Sequence, residues 1–161
     1  MCPGRGRPPV ETTNGGGAWS DYFYNNYIND PMQADRPDAP DNRRTLMTIQ
    51  DGTSNTVFVG HGSIATNLYT ASGNVPFCSN IFNGGTTGTM RAGNPAQTSP
   101  AGVTLRRDSP NAPAGIGQWG GPFPHGGLFV MGDGSVRTIP YTANVFNQML
   151  TPAGGEAFVM P

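Results

Sequence analysis

Residues 127–139 read GLFVMGDGSVRTI, and this stretch decides the fold. An apolar run ends at Met131, and a run that alternates polar and apolar residues begins at Ser135. An Asp-Gly pair between two such runs is typical of a tight β-hairpin turn, because glycine readily adopts the positive φ that the turn requires. The stretch therefore predicts an antiparallel hairpin.

A second strand signal lies upstream, where residues 51–60 read DGTSNTVFVG. An Asp-Gly turn signal precedes a β-branched and aromatic run that Gly60 ends, so we expect a buried strand over 55–60. Shorter elements that could be strand or helical turn are expected at residues 19–28 and 45–50, with weak strands near 64–69, 77–82 and 102–105.

The last periodic segment follows Pro140. Thr142 is positioned to cap a short helix. Its apolar residues share one helical face at the spacing i, i+1, i+4, i+5: Val145, Phe146, Met149 and Leu150. Gly154 and Gly155 end this periodic region, which predicts one short C-terminal helix.

The composition indicates a thin core with many turns. Glycine and proline together contribute 24 + 16 = 40 of 161 residues, and apolar residues are 35%, below the roughly 45–50% of typical domains. Charged residues are 12%, too few for charge-driven disorder. We predict a single α+β, mostly β domain over 1–161 with a small, loop-rich antiparallel sheet. Residues 1–18 are expected to form a loop-like N-terminal segment, and residues 70–115 poorly ordered loops.

The net charge and the lack of a long apolar stretch disfavour nucleic acid and membrane as partners. The net charge is −1 and the pI about 6.0, so neither nucleic acid nor anionic lipid is favoured as a partner. No apolar stretch is long enough for a membrane helix, and the chain carries no export signal of its own.

A Cys2–Cys78 disulfide would form if the chain is exported and the two sulfurs meet; otherwise both thiols stay free.

The two motif segments together resemble a known family. Residues 51–56 (DGTSNT) followed by VFVG, and residues 125–137 (HGGLFVMGDGSVR), are similar to two signatures of large planctomycete families of prepilin-like exported proteins. Cys2-Pro3 and residues 153–156 (AGGE) also resemble family positions. The resemblance implies an exported, pseudopilin-like α+β domain of the cell envelope, and it implies no reaction.

The chain departs from the family pattern in three places. The prepilin leader and the long N-terminal helix are missing, so we expect a C-terminal part of a longer protein. His61 stands where the family usually has Glu, and the spacing from His125 to Asp133 is slightly shorter than usual. The last two changes fall on residues that would belong to a site.

Oxygen-rich turns make calcium a candidate ligand. Asp51, Asn55 and Asp133 concentrate side-chain oxygens in short loops, as Ca²⁺ coordination requires, although the spacing is not that of an EF-hand. The alternative is that Asp and Asn occupy turn positions because their side chains bond the local backbone.

His125, His61 and Asp133 are the candidate catalytic residues. An imidazole base beside a metal-bound water would hydrolyse an ester, a lactone or another small carbonyl substrate. The alternative is that His125 bonds a loop carbonyl beside the flexible Gly126-Gly127 pair. Two functions are therefore open: a structural or binding domain that contacts an envelope polymer, a protein or calcium, and a small metal-dependent hydrolase. The hydrolase requires a histidine and a carboxylate or metal to converge in an open pocket.

Overall fold

A computed structural model of the chain describes residues 2–11, 17–29, 45–70, 81, 89–91, 103–113 and 118–155. Its strands are β1 Val10–Glu11, β2 Gly17–Ala18, β3 Tyr22–Asn25, β4 Val57–His61, β5 Met90–Arg91, β6 Thr104–Arg107, β7 Gln118–Gly121, β8 Gly126–Met131 and β9 Val136–Pro140. One short α-helix, α1, spans Asn26–Asn29, and 3-10 helices span Pro3–Arg5, Leu46–Thr48, Thr66–Leu68 and Gln148–Leu150. The predicted α+β, mostly β fold class is confirmed.

The central sheet has five strands in the order β5-β3-β4-β8-β9. All neighbouring pairs are antiparallel except β3 and β5, which are parallel. β8 and β9 form the predicted hairpin with Leu128 opposite Thr138, and Gly134 in its turn has a φ of 83°. The predicted strand at 55–60 is β4, which continues to His61.

A second layer packs against one face of this sheet and contributes to the core. β6 and β7 pair in parallel, and Gly62, just after β4, bridges to Trp119 of β7. The rings of Trp119, Phe129 and Phe146 contact one another with centroids 5.0–5.9 Å apart. Phe129 lies across Gly60, where a Cβ would come within 2.1 Å of its ring, so only glycine permits this packing. The remaining residues of this core cluster are Val57, Met131, Ile139, Met149 and Leu150.

Three expectations from the sequence need correction. The segment 1–18, expected to be loop-like, contains the 3-10 helix Pro3–Arg5 and the strands β1 and β2, and its residues Cys2 and Arg5 are 1% and 5% exposed. Residues 64–69 form no strand; Ala65 makes one isolated bridge and Thr66–Leu68 is a 3-10 helix. The C-terminal helix is a single 3-10 turn, Gln148–Leu150, although Phe146, Met149 and Leu150 are buried as its pattern predicted.

The segments for which the sequence left strand or helix open are also assigned, as far as the described residues reach. The aromatic residues 19–28 contain both a strand and a helix, β3 and α1, and residues 45–50 contain the 3-10 helix Leu46–Thr48. β6 lies near the strand expected at 102–105, and β5 also falls within residues 70–115. Residue 78 and most of residues 70–115 lie outside the described residues. Cys2 is a free, buried thiol in the structure, which does not bear out the Cys2–Cys78 disulfide. Within the described ranges, no helix is long and apolar enough to span a bilayer.

The two Asp-Gly motifs are neighbours at one end of the β4–β8 pair. The Gly132 and Asp133 N–H groups donate to the Thr56 and Thr53 carbonyls at 2.9 and 3.1 Å. Because β4 and β8 are antiparallel, the start of β4 and the end of β8 meet here. The other end of the pair therefore brings His61 near the start of β8, which follows His125.

Candidate functional site

Asp51 fastens the first Asp-Gly loop to the C-terminal residues. Its Oδ2 and Oδ1 accept hydrogen bonds from the N–H groups of Gly154 and Gly155 at 2.8 and 2.9 Å. Its own N–H donates to the Pro152 carbonyl at 3.3 Å. The Asn55 amide, predicted as a metal ligand, donates to the Asp51 carbonyl at 3.0 Å. The structure thus brings two predicted calcium ligands together in one loop, where both side chains bond backbone groups.

Asp133 occupies the exposed turn of the β8–β9 hairpin. Its Oδ1 accepts the Ser135 N–H at 2.8 Å, which closes a local turn of the kind that Asp favours. The hydroxyl and N–H of neighbouring Ser135 lower the pKa of the Asp133 carboxyl. Asp133 therefore shapes the hairpin turn and lies beside the Asp51 loop.

His61, one of the predicted catalytic residues, lies inside the protein. It is 0% exposed, at the end of β4. Its ring stacks on Tyr22, its cross-strand partner, with centroids 4.7 Å apart, and also contacts Phe123 at 5.9 Å. Neither ring nitrogen has a protein hydrogen-bond partner among the described residues. Burial is the main reason that the pKa of His61 falls to about 4; the Arg5 charge lowers it further, and the Asp21 and Asp108 charges oppose the shift.

A buried ion-pair cluster lies beside His61. Arg5 binds Asp108 through two nitrogens, Nε to Oδ2 at 2.8 Å and Nη2 to Oδ1 at 3.2 Å, and its Nη1 lies 3.1 Å from Asp21 Oδ1. Arg7 Nη1 donates to the same Asp21 oxygen at 2.8 Å. All four side chains are at most 2% exposed. The cluster joins the N-terminal 3-10 helix to the residues that precede β3 and follow β6.

Backbone and phenol groups complete the cluster. The Cys2 N–H donates to Asp21 Oδ2 at 2.7 Å, and the Ile64 N–H to Asp108 Oδ1 at 2.9 Å. The Tyr69 hydroxyl donates to Asp108, and Arg5 Nη2 to the Gly62 carbonyl. Both carboxylates thus accept several hydrogen bonds, which compensates for their loss of water.

These contacts keep the cluster charged. Burial alone would raise the pKa of Asp21, but the Cys2 N–H and the two arginine charges lower it below its ordinary value. Burial would likewise lower the pKa of Arg5, and the hydrogen bonds and charge of Asp108, helped by Asp21, raise it instead. Burial and the Asp108 carboxylate raise the pKa of Tyr69, which therefore stays a neutral donor.

His125 lies at the surface, in the wall of a shallow apolar pocket of about 370 Å³. Its other lining residues are Phe123, Pro124, Gly126, Leu128 and Thr138. The Tyr141 hydroxyl is 2.9 and 2.8 Å from the Gly121 and Phe123 carbonyls, which fixes the segment that leads into this pocket. Phe123 separates two environments, because it lines the pocket and also packs on buried His61.

The predicted site residues therefore divide between the two ends of the β4–β8 pair. Asp51, Asn55 and Asp133 lie at one end. His125 precedes β8 and Asp133 follows it, so the length of a six-residue strand, roughly 20 Å, separates them. The structure does not bring the histidines and these aspartates together. Among the described residues, no group of three or more His, Cys, Asp or Glu is arranged to hold a metal ion.

Sequence reasoning missed the residues that do converge. Arg5, Asp21 and Asp108 belong to no local motif, and 103 residues separate Arg5 from Asp108 along the chain. The chain has only 12% charged residues, and these residues carry opposite charges. This was the one feature of the sequence that could have suggested that they pair.

Of the comparisons with known proteins, the comparison with protein families finds a match. Neither the curated proteins nor the solved structures contain a match to the chain. A family comparison matches residues 3–145, which include both Asp-Gly motifs and the whole ion-pair cluster. The family is described as "Protein of unknown function (DUF1559)" and corresponds to the planctomycete prepilin-like proteins that the motifs resemble. The match covers most of the chain, and the chain belongs to this family.

Proposed function

We propose that this chain is an exported, pseudopilin-like structural or binding domain of the cell envelope. Family membership supports the exported, pilin-like part of the proposal. The observation that carries the structural part is the use of the Asp51 carboxylate, whose two oxygens both accept backbone N–H groups. Asp51, the single acidic residue of the first motif, thus connects two segments of the fold, as a scaffold would require.

Cell fractionation tests this proposal. The native gene product would carry a C-terminal epitope tag, and its amount would be compared among cytosolic, envelope and secreted fractions. We expect the tagged protein in the envelope or secreted fraction, and its extraction from the envelope by detergent or high salt would identify the type of attachment. Recovery in the cytosol alone would contradict the proposal.

Calcium binding at the Asp51 and Asp133 turns remains part of the proposal. Ca²⁺ prefers several oxygen ligands, and these turns supply carboxylate, amide and carbonyl oxygens side by side. A calcium ion there would have to share Asp51 with two N–H donors. A melting midpoint that rises in millimolar calcium, and no longer rises in Asp51→Ala, supports the site; an unchanged midpoint in the parent protein contradicts it.

The alternative function, a hydrolase for ester or lactone substrates, is favoured by one observation. His125 is exposed in the wall of an apolar pocket that a small carbonyl compound would fit. The test is an assay of the purified chain on a panel of esters and lactones, with calcium and then with a chelator. Activity that His125→Gln abolishes would establish the hydrolase, and activity that survives this change would not involve the pocket.

A further inference from the structure

Residues 2–7, here called the N-terminal strap, are held against the sheet by buried charges. Arg5 and Arg7 supply two positive charges, and Asp21 and Asp108 supply two negative ones, so the closed cluster is neutral. Gly4 packs so closely on the segment after β7 that a Cβ there would lie 3.0 Å from Pro122 and 3.2 Å from Phe123. The strap therefore covers the same aromatic ring that packs on His61.

Among the described residues, His61 is a buried titratable group whose ring nitrogens both lack a hydrogen-bond partner. It is fully buried. Charged or titratable groups approach it from the strap (Arg5), from β3 and the residue before it (Tyr22 and Asp21), and from the residue after β6 (Asp108). β7 packs its uncharged Gly121 against the ring. Cys2 of the strap and Tyr69 adjoin the same cluster. A proton on His61 would give the closed cluster a third cation against two carboxylates.

We propose that protonation of His61 releases the N-terminal strap while the central sheet stays folded, so that the strap acts as an acid-sensitive latch. Release removes Arg5 and Arg7 from the cluster and lets the imidazolium face Asp21 and Asp108 with access to water. The proton is thus bound more tightly in the released state than in the closed state. By linkage, acid shifts the equilibrium toward release.

The pH range follows from the shift of His61. Its pKa is about 4 with the strap closed and 6.5 when solvated, so below 6.5 the released state binds more protons. Above pH 6.5 the closed strap has its full stability relative to the released strap, and it loses stability as the pH falls toward 4. The ratio of released to closed strap should rise roughly 50-fold between about pH 7 and about pH 4.5. Asp21 does not compete in this range, because its pKa is lowered and its charge persists.

The Cys2 thiol provides a direct probe of the strap. Cys2 is 1% exposed in the closed state, so it reacts with a thiol reagent only after release. The experiment measures the labelling rate of Cys2 by 4,4′-dithiodipyridine, which reacts in acid, in a Cys78→Ala background. Each rate is divided by that of a free peptide with the strap sequence, which removes the intrinsic pH dependence of the thiol. Hydrogen exchange of β8 and β9 amides, corrected for intrinsic rates, reports the sheet in the same samples.

Two histidine variants make the test specific. We expect the normalised rate to rise roughly 50-fold in the parent and in the exposed-site control His125→Gln, and to stay nearly flat in His61→Gln. If His61→Gln does not fold, His61→Phe keeps an aromatic ring between Tyr22 and Phe123 and replaces it. A flat parent profile, an unchanged rise in the His61 variant, or loss of β8–β9 protection in step with Cys2 labelling would each overturn the proposal.

Discussion

At one end of the β4–β8 pair, Asp51 and Asp133 lie near solvent and accept N–H groups of exposed loops. At the other end, Asp21 and Asp108 are buried and bind arginines that lie far away in the sequence. Aspartate side chains thus close turns at one end of the pair and join distant segments at the other end. The difference lies in solvation, because an exposed carboxylate keeps water as an alternative partner and a buried one does not.

The largest effect is expected at the buried end. Asp21→Ala removes the buried carboxylate that Arg5 and Arg7 share. Removing one member of a buried ion pair typically costs about 3–5 kcal/mol, because the other charge stays desolvated. The free energy of unfolding from urea titration measures the change. A loss no larger than that of Asp51→Ala would mean that the cluster is solvated in solution.

A smaller effect at the same end is expected for Tyr69→Phe. The variant keeps the ring and removes the hydroxyl that donates to Asp108. Hydrogen bonds to charged groups contribute about 1.5–3 kcal/mol, so unfolding should become easier by about 2 kcal/mol. The matched control is Tyr24→Phe, since the Tyr24 hydroxyl shows no hydrogen bond among the described residues. An equal loss of unfolding free energy in the two variants would show that the Tyr69 hydroxyl does not stabilise the cluster.

At the opposite end, Asp51→Ala should have a moderate effect. It removes two hydrogen bonds to the Gly154 and Gly155 N–H groups, which can turn to water instead. We expect a loss of about 1 kcal/mol in the free energy of unfolding, with faster hydrogen exchange confined to residues near 154–155. Exchange that speeds up throughout the central sheet would show that Asp51 supports more than this contact.

The smallest effect is expected for Asp133→Ala. This carboxylate is exposed, and its bond to the Ser135 N–H acts only within the turn. We expect the melting midpoint to move by less than in Asp51→Ala, with the β8–β9 hairpin still protected from exchange. A larger loss than in Asp51→Ala would reverse the ranking of the two Asp-Gly motifs.

Local signals predicted one end of the molecule and not the other. The hairpin at 127–139 and the strand that became β4 followed from alternation and turn chemistry. The ion-pair cluster depends on contacts between Arg5 and residues up to 103 positions away, which no short pattern records. Burial of His61 was missed for a similar reason, since its cover comes from Tyr22 and Phe123.

The exclusion of water from the buried end of the β4–β8 pair can be measured through the pKa of His61. The account requires this imidazole to be shielded from water and held neutral by burial and the Arg5 charge. NMR titration of the ring in ¹⁵N-histidine-labelled protein, with His125→Gln to assign the signals, gives its protonation midpoint. We expect His61 in the folded protein to stay neutral until the pH approaches about 4. A midpoint near the ordinary value of about 6.5 would place His61 in water and contradict the closed, charged interior at that end of the sheet.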